Sequence, residues 1–273
     1  MLSDKKIITI QDISCFGQCS STVALPILSC FGFETIVLPS MILSTHTGGF
    51  KGFQIVDLSP KINSFLDHYQ ALNLKFDVLY AAYLGNDKIV DIVHRVNDFF
   101  LKENSLFVLD PVIGDNGKLY PQFNEDYVAS IKTLVSKADI IIPNLTEACA
   151  LTGIEYKEKY NEKYIQDVVL ALKDLGAKKI IITGVSFKED KLGVISYDKE
   201  MKYYEHERIS KGCHGTGDVF ASTFLGAYLQ SNDLYEASKI AADFVVKCIK
   251  NTIQDESHWY GVKFEPLLND LMK

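Results

Sequence analysis

The chain has 273 residues, of which 47% are apolar and 23% are charged, and it carries a formal net charge of −7. So high an apolar content excludes a disordered chain, and the length suffices for one large α/β domain with a single core. The negative balance argues against nucleic acid as the main partner, whereas a local group of backbone amides can still bind the phosphates of a nucleotide.

Short runs rich in β-branched residues alternate with longer amphipathic stretches over the first two thirds of the chain. The short runs are nearly continuous Ile, Val and Leu, which is typical of strands buried in a parallel sheet. The longer stretches carry apolar residues at spacings of three and four, as helices do. The predicted strands are residues 7–10, 35–38, 78–82, 107–109, 140–142 and 179–183, and the predicted helices are residues 21–31, 62–72, 89–101, 127–135 and 165–175.

The C-terminal third departs from this alternation. Residues 193–197 and 202–206 flank a polar turn and predict an antiparallel hairpin, and two helices are predicted after it, over residues 218–230 and 235–251. No linker rich in Pro and Ser and no low-complexity tract interrupts the sequence. We therefore predict one domain over residues 1–273, with a mostly parallel central sheet covered by helices on both faces and an antiparallel hairpin at one edge.

The sequence carries no sign of a membrane segment or of an oxidising compartment. It has no run of eighteen apolar residues, and its N-terminus lacks the apolar stretch and cleavage site of a signal peptide. The six cysteines are scattered without a Cys-x-x-Cys pair, so no zinc site is predicted. We expect reduced thiols in a cytoplasmic protein.

The residues that follow the predicted strands matter because ligands in open α/β sheets bind at the carboxyl ends of the strands. Nearly every strand is followed by polar or small residues, which predicts a broad site built from many loops. These residues are Gln11 and Asp12 after the first strand, Tyr83, Leu84 and Gly85 after the third, Asp110, Pro111 and Val112 after the fourth, residues 143–147 after the fifth, and Thr183 and Gly184 after the sixth.

The strongest chemical signal is the turn at residues 212–218, Gly-Cys-His-Gly-Thr-Gly-Asp, directly before an apolar helix. Gly215 and Gly217 permit backbone angles that point successive amides, including that of Thr216, at one spot. At a helix N-terminus such amides favour an anion, and the terminal phosphate of ATP fits there. Asp218, in the first turn of the helix, can then take a proton from an acceptor hydroxyl. A glycine turn that ends in an Asp cap is the alternative at this point.

Three further polar residues predict a magnesium site. Asn144 and Glu147 form an Asn-x-x-Glu pair just after a strand, and on a helix that begins here both side chains share one face. Such oxygen ligands suit Mg²⁺, which binds through one or two carboxylates and keeps several waters. Asp110, at the end of another strand, is a third acid that can face the same metal. The alternative for Asn144 and Glu147 is a plain helix cap with a Glu in the first turn.

Residues 44–49, Ser-Thr-His-Thr-Gly-Gly, suit a loop that hydrogen-bonds a polar small molecule, although a solvated turn fits them as well. His46 has no partner His or Cys at ligand spacing, so we interpret it as a hydrogen-bonding histidine. Asp12 lies where an acceptor for a substrate hydroxyl or ring nitrogen is expected. Tyr83 can stack on a ring, or can simply pack at the end of its strand.

Several common chemistries are disfavoured. The chain has no Gly-x-x-x-x-Gly-Lys-Ser/Thr loop and no Gly-x-Gly-x-x-Gly motif after the first strand, which argues against a P-loop kinase and a dinucleotide-binding dehydrogenase. Cys149 and Cys213 belong to no Cys/His signature, so we interpret both as structural thiols.

These motifs as a set resemble the ribokinase-like superfamily and, within it, the branch of pyridoxal and pyridoxamine kinases. The superfamily resemblance rests on residues 215–218 together with Asn144 and Glu147. Five motifs occur in order between about residues 7 and 246: Ser44-x-His46-Thr47-Gly48, Tyr83-Leu84-Gly85, Asp110-Pro111-Val112-x-Gly114-Asp115 with Gly117-x-x-Tyr120, Pro143-Asn144-x-Thr146-Glu147, and Gly215-Thr216-Gly217-Asp218.

The resemblance implies a ribokinase-like three-layer α/β/α sandwich that phosphorylates the 5′-hydroxymethyl group of pyridoxal, pyridoxine or pyridoxamine with Mg-ATP. It makes Asp218 the general base, and it makes the amides of Gly215, Thr216 and Gly217 the anion hole. It also implies a homodimer and, in many relatives, a monovalent cation such as K⁺. It further places Asp110, Asn144 and Glu147 at Mg²⁺ and the phosphates, Asp115, Tyr120, Thr183 and Gly184 at the nucleotide, and Asp12, Thr47 and Tyr83 at the pyridine ring.

Two departures from the branch leave the acceptor open. Many members carry Ser where this chain has Asp12, and a carboxylate there can favour a vitamer with a positive ring nitrogen or amine, such as pyridoxamine or pyridoxine. The Cys213-His214 pair is shared in part with hydroxymethylpyrimidine kinases, whose last motif residue is often Cys where this chain has Asp218. A hydroxymethylpyrimidine kinase, a sugar kinase and a non-catalytic nucleotide- or vitamin-binding protein are the alternatives, and an intact Asp218 argues against the last.

Overall fold

The computed structural model of the chain describes residues 4–210 and 212–272. The strands are β1 (Lys6–Ser14), β2 (Glu34–Leu43), β3 (Ile55–Asp57), β4 (Phe76–Ala81), β5 (Leu101–Leu109), β6 (Gly114–Asp115), β7 (Lys118–Leu119), β8 (Ile140–Ile141), β9 (Lys179–Val185), β10 (Lys191–Tyr197) and β11 (Met201–Glu207). The helices are α1 (Ser21–Cys30), α2 (Ser59–Ala71), α3 (Asp87–Phe99), α4 (Glu125–Val135), α5 (Leu145–Thr152), α6 (Glu162–Asp174), α7 (Thr216–Ser231) and α8 (Leu234–Thr252), and a 3₁₀ helix spans Glu265–Leu271.

Nine of the strands form one sheet in the order β11-β10-β9-β8-β5-β4-β1-β2-β3. The six strands from β9 to β2 in that order pair in parallel, whereas β10 and β11 form an antiparallel hairpin at one edge and β3 pairs antiparallel at the other. The chain order reverses between β1 and β4, which are neighbours. Such a switch point opens a crevice at the carboxyl ends of the strands, where ligands bind in open α/β sheets.

The sheet has a separate apolar core on each face, because successive side chains of a strand point in opposite directions. On β1, Ile8 and Ile10 pack with apolar residues of α2 to α6, whereas Ile7 packs with those of α1, α7 and α8. Val108 and Leu109 on β5 are divided between the two cores in the same way. The predicted three-layer α/β/α arrangement is therefore confirmed.

Helix α7 lies in the middle of the second core and is buried over most of its length. Every residue from Val219 to Tyr228 is buried, because the helix packs against α1 and α8 as well as the sheet. The turn that precedes α7 is therefore attached to one of the best-packed elements of the fold.

Most predicted elements are confirmed to within a few residues, and three differences concern the edges and ends of strands. Leu101 begins β5 and does not end the preceding helix, which stops at Phe99. Asp12 lies within β1, next to a register irregularity between Gln11 and Ile13, and not after the strand as predicted. The short strands β3, β6 and β7 were not predicted, because two or three residues carry no periodic signal of their own.

No helix in the described part of the chain is long and apolar enough to cross a membrane. All six cysteines are free thiols, as predicted.

Candidate active site

One cavity of about 830 Å³ opens at the carboxyl ends of the central strands, a size typical of small-molecule sites. Its walls come from loops that follow β1, β2, β4, β5 and β8, from β9 and β10, from the N-terminus of α7 and from α8. All fourteen residues singled out from the sequence line it: Asp12, Thr47, Tyr83, Asp110, Asp115, Tyr120, Asn144, Glu147, Thr183, Gly184, Gly215, Thr216, Gly217 and Asp218.

The turn before α7 presents backbone amides to this cavity. Gly215 is the N-cap of the helix, with a left-handed φ of 81° and ψ of 2°, and its carbonyl accepts the amide of Val219 at 3.0 Å. The amides of Thr216 and Gly217 belong to the first turn, where a helix has no internal acceptors for its N–H groups. A Cβ at residue 215 would lie 2.3 Å from the carbonyl oxygen of Gln18, so only glycine fits here.

Asp218 lies in the first turn of α7, half-buried, with its carboxylate towards the cavity. Burial raises the pKa of Asp218 to about 7, because desolvation disfavours the charged form. Hydrogen bonds from the Ser20 amide and the Cys19 thiol oppose this rise, and the negative charge of Asp12 adds to it. A carboxylate with a pKa near neutrality is suited to general-base catalysis.

Two further carboxylates share the same wall of the cavity. Asp110 is buried, and desolvation, followed by the charges of Glu147 and Asp218, raises its pKa well above the usual value. Burial likewise raises the pKa of Glu147, although backbone amides donate to it. Carboxylates this close and this buried repel each other, and a bound cation relieves that repulsion.

Asn144 and Glu147 form a complete capping box at the start of α5. The Asn144 Oδ1 accepts the amide of Glu147 at 3.0 Å, and the Glu147 Oε2 accepts the amide of Asn144 at 2.8 Å. The Asn144 Nδ2 also donates to the Gly114 carbonyl at 2.8 Å, and the Glu147 Oε1 accepts the amide of Ile113 at 3.1 Å. The cap geometry is therefore present, and it also holds the loop that carries Asp115 and Tyr120.

Replacing Asn144 with Ala is expected to lower the free energy of unfolding by about 1–2 kcal/mol, because both the cap and the bond to Gly114 are lost. The matched control is Asn124→Ala, since Asn124 caps α4 through a 3.0 Å bond from Tyr127 outside the cavity. Thermal unfolding should show a loss for both variants, whereas kcat/KM for ATP, the nucleotide that the resemblance implies, should fall only in Asn144→Ala. Equal kinetics in the two variants would assign Asn144 to the cap alone.

Asp12 and Tyr83 also line the cavity. Asp12 is 3% exposed, and its carboxylate accepts the hydroxyl of Ser14 at 2.8 Å. Desolvation raises the pKa of Asp12, and hydrogen bonds from Ser20 and Ser14 oppose the rise. Burial raises the pKa of Tyr83 to about 12, and its hydroxyl accepts the Gln122 side chain at 3.1 Å.

His46 anchors the loop that carries Thr47. Its Nδ1 accepts the amide of Gly48 at 3.1 Å, so the proton belongs on Nε2, which donates to the Tyr260 carbonyl at 2.5 Å. Burial lowers the pKa of His46, which keeps the ring neutral. The sequence-based interpretation of His46 as a hydrogen-bonding histidine agrees with these contacts.

Several residues of the cavity wall were not singled out from the sequence. Cys19 and Ser20 precede α1 and lie close to Asp218. An apolar slot between the β10–β11 hairpin and α8 was not predicted either. No local motif marks any of these residues, because they meet only through the packing of distant segments. The slot is lined by Leu192, Val194, Ala242, Val245 and Ile249.

A family model described as phosphomethylpyrimidine kinase matches residues 70–262 of the chain. Among curated proteins, a hydroxymethylpyrimidine/phosphomethylpyrimidine kinase of Aquifex aeolicus is 32% identical over 173 residues, which are 62% of this chain and 65% of that protein. The chain thus spans slightly less than two thirds of that relative. A pyridoxal kinase of Arabidopsis thaliana is 26% identical over 265 residues, 92% of this chain and 83% of that protein.

Solved structures match over nearly the full length. A candidate phosphomethylpyrimidine kinase of Bacteroides thetaiotaomicron is 33% identical, with a TM-score of 0.94 over 98% of this chain and 94% of that one. A second crystal form of it, solved with pyridoxal, gives a TM-score of 0.92 over 98% and 96%. The pyridoxal kinase of Lactobacillus plantarum is 30% identical, with a TM-score of 0.90 over 98% and 97% of the two chains.

Proposed function

The chain belongs to the phosphomethylpyrimidine kinase family and is a kinase, and from that premise we propose that it transfers the terminal phosphoryl group of ATP to the 5′-hydroxymethyl group of a vitamin B6 vitamer. The predicted resemblance to pyridoxal kinases of the ribokinase-like superfamily is confirmed by the same matches. The observation that carries the proposal is the position of the Asp218 carboxylate, which lies beside the amides of residues 215–217 in the cavity.

In the proposed reaction, the hydroxymethyl oxygen of the vitamer attacks the terminal phosphorus of ATP. The bond from oxygen to phosphorus forms while the bond to the leaving oxygen of ADP breaks, and the hydroxyl proton passes to the Asp218 carboxylate. The amides of Gly215, Thr216 and Gly217 stabilise the charge on the transferring group, because they are already oriented before the reaction.

The acidic wall fits Mg²⁺ in its donor chemistry. In the described residues no cluster of three or more His, Cys, Asp and Glu side chains forms a ready-made metal site. Kinase magnesium is usually held by one or two carboxylates together with substrate phosphates. Asp110 would hold it through its buried carboxylate, and Asn144 and Glu147 would hold it through water, since their side chains already bond to backbone groups. Bound Mg²⁺ would neutralise phosphate charge during transfer.

The nucleotide is proposed to extend from the anion-binding turn towards the hairpin. Thr183 and Gly184 would lie beside it, with Asp115 and Tyr120 on the loop flanking its phosphates. The apolar slot between the hairpin and α8 suits a purine base, because its side chains are aliphatic. A monovalent cation, a homodimer and a cytoplasmic location remain predictions.

A coupled assay of ATP consumption tests this function. Purified protein is given pyridoxal, pyridoxine, pyridoxamine and hydroxymethylpyrimidine in separate reactions, with Mg-ATP alone as the blank. Turnover of at least one B6 vitamer above that of the pyrimidine is expected. Turnover of the pyrimidine alone would favour the second candidate, which the name of the Aquifex relative supports. If the protein turns over none of these acceptors, the remaining candidate is a non-catalytic nucleotide- or vitamin-binding protein.

We expect Asp12 to set the preference among vitamers. Its buried carboxylate lies where the pyridine ring is proposed to bind, so it should favour a positive ring nitrogen or amine. Asp12→Ser should therefore lower kcat/KM for pyridoxamine or pyridoxine relative to pyridoxal by about 5- to 30-fold, the effect of roughly 1–2 kcal/mol. The check is kcat/KM for all three vitamers in both proteins, and an unchanged order of preference would contradict the role.

The pH dependence of kcat/KM should report the ionisation of Asp218. Because the base must be deprotonated and burial raises its pKa to about 7, activity should rise with pH up to about 7 and then level. The charge of Asp12 contributes to that raised pKa, so Asp12→Asn should move the acid limb to lower pH. The matched control is Asp91→Asn on the exposed side of α3, which should leave the limb in place.

A further inference from the structure

Ser20, directly before α1, breaks two local rules of backbone structure. Its φ of 53° and ψ of −126° lie in a region that residues with a Cβ rarely adopt. It is also the N-cap of α1, a position where serine normally accepts an amide of the first turn with its hydroxyl. In the described chain this hydroxyl makes no such bond, although the Ser20 carbonyl accepts the amides of Val23 and Ala24 as a cap residue should.

The polar atoms of Ser20 are directed to two carboxylates of the cavity instead. Its hydroxyl lowers the pKa of the Asp12 carboxyl and its backbone N–H lowers the pKa of the Asp218 carboxyl, as polar hydrogens directed at a carboxylate do. Ser20 is 5% exposed overall, and it lines the cavity. Strained backbone that persists in a buried position is held there by its surroundings and is most often found at functional sites.

The loop before Ser20 lies against the turn that precedes α7 and carries Gly215. The Gln18 carbonyl lies against Gly215, and the Cys19 thiol lowers the pKa of Asp218. The Cys19 carbonyl accepts the hydroxyl of Thr22 at 2.8 Å, which ties the loop to α1. Ser20 also forms an isolated bridge with Ile13, the residue next to Asp12. One loop therefore contacts both the turn that carries Asp218 and the strand that carries Asp12.

From these contacts we infer that Ser20 is a positioning residue that holds Asp12 and Asp218 in a fixed relation through its hydroxyl and its strained amide. The inference rests on the proposed function, in which Asp12 contacts the ring and Asp218 takes the proton from the group attached to that ring. The distance between ring contact and base must match the distance between the ring and its hydroxymethyl oxygen. A small misplacement of such groups is costly for phosphoryl transfer.

Two substitutions separate the hydroxyl from the amide. Ser20→Gly removes the hydroxyl and adopts the same backbone without strain, so the vitamer KM should rise by about 2- to 12-fold while kcat stays within about twofold. Ser20→Thr keeps a hydroxyl but adds a β-branch, which disfavours positive φ. Its amide should withdraw from Asp218, kcat should fall by about tenfold or more, and the acid limb of kcat/KM should move to higher pH.

The control is Asn73→Ala, because Asn73 also has a positive φ, of 54°, but is exposed and outside the cavity. It should lower the melting temperature and leave the kinetics unchanged. If Ser20→Thr does not fold, Ser20→Ala takes its place, since Ala keeps the strain of a Cβ without the branch. Variants at Ser20 that alter only the melting temperature, with kcat, KM and the acid limb as in the unsubstituted protein, would overturn the inference.

A titration without substrate distinguishes this inference from the proposed function. Carbon-13 NMR of labelled aspartate carboxyls reports the pKa of Asp218 directly, and loss of the amide donor in Ser20→Thr should raise it. If the protein turns over none of the acceptors, the proposed function fails while this result can still stand. If it turns over a vitamer but Ser20→Thr leaves the pKa of Asp218 unchanged, the positioning role fails and the function does not.

Discussion

Asp218→Asn is expected to lower kcat by roughly two to four decades while ATP still binds. The carboxamide has the same shape as the carboxylate but cannot accept the hydroxyl proton of the vitamer. The surrounding turn should not move, because α7 is buried along most of its length and holds the turn in place. Steady-state kinetics with a vitamer and calorimetry of ATP binding measure the two effects separately.

The matched control for Asp218→Asn is Asp174→Asn, at the exposed end of α6 and outside the cavity. It removes the same charge and should leave both kcat and ATP affinity unchanged. A kcat for Asp218→Asn within tenfold of that of the unsubstituted protein would show that another group takes the proton. Loss of ATP binding together with kcat would show that Asp218 supports the nucleotide site and not the proton transfer alone.

Gly215→Ala is expected to damage both activity and folding. The added Cβ would lie 2.3 Å from the Gln18 carbonyl oxygen, and the φ of 81° already strains a residue with a side chain. The turn must shift to relieve the overlap, so kcat should fall by about 10²–10³, as when one anion-hole donor is lost. The free energy of unfolding should fall by about 2–4 kcal/mol, the sum of backbone strain and overpacking.

Gly153→Ala separates backbone strain from the overlap. Gly153 ends α5 with a similar φ of 76°, but in the described chain no other atom lies within 4 Å of its added Cβ. In Gly153→Ala the free energy of unfolding should fall by about 1 kcal/mol, and kcat and KM should be unchanged. If Gly215→Ala loses no more stability than Gly153→Ala, the contact with Gln18 is not a tight one, and the turn has room to accept a side chain.

The fold and the main candidate residues could be read from the sequence to a large extent because their signals are local. Alternation of β-branched runs with amphipathic stretches predicts a parallel sheet between helices, and residues at strand ends must meet at one edge of such a sheet. For that reason Asp110 and Asn144, which are far apart in sequence, could be predicted to face one cavity. Asp218 was assigned to the same site from the glycine turn before its helix and from the family resemblance.

Local signals fail where a conformation depends on a partner from elsewhere in the chain. The Asn144 and Glu147 pair could be read either as a cap or as metal ligands, and the structure shows the capping box with additional bonds to Gly114 and Ile113. Asp12 was predicted to follow β1, but it lies within that strand, because the irregular pairing of β1 with β2 carries the strand on to Ser14.

The sequence by itself determined the fold class, the turn at residues 215–218 and the identity of Asp218 as the candidate base. These depend on residue types and short spacings, which act before the chain is folded. Only the tertiary structure decided that Ser20 adopts a strained backbone between Asp12 and Asp218, and that the Gln18 carbonyl lies against Gly215. The physical reason is that α1 and α7 pack side by side on one face of the sheet, which brings residues 18–20 to the turn before α7, about 200 positions further along the chain.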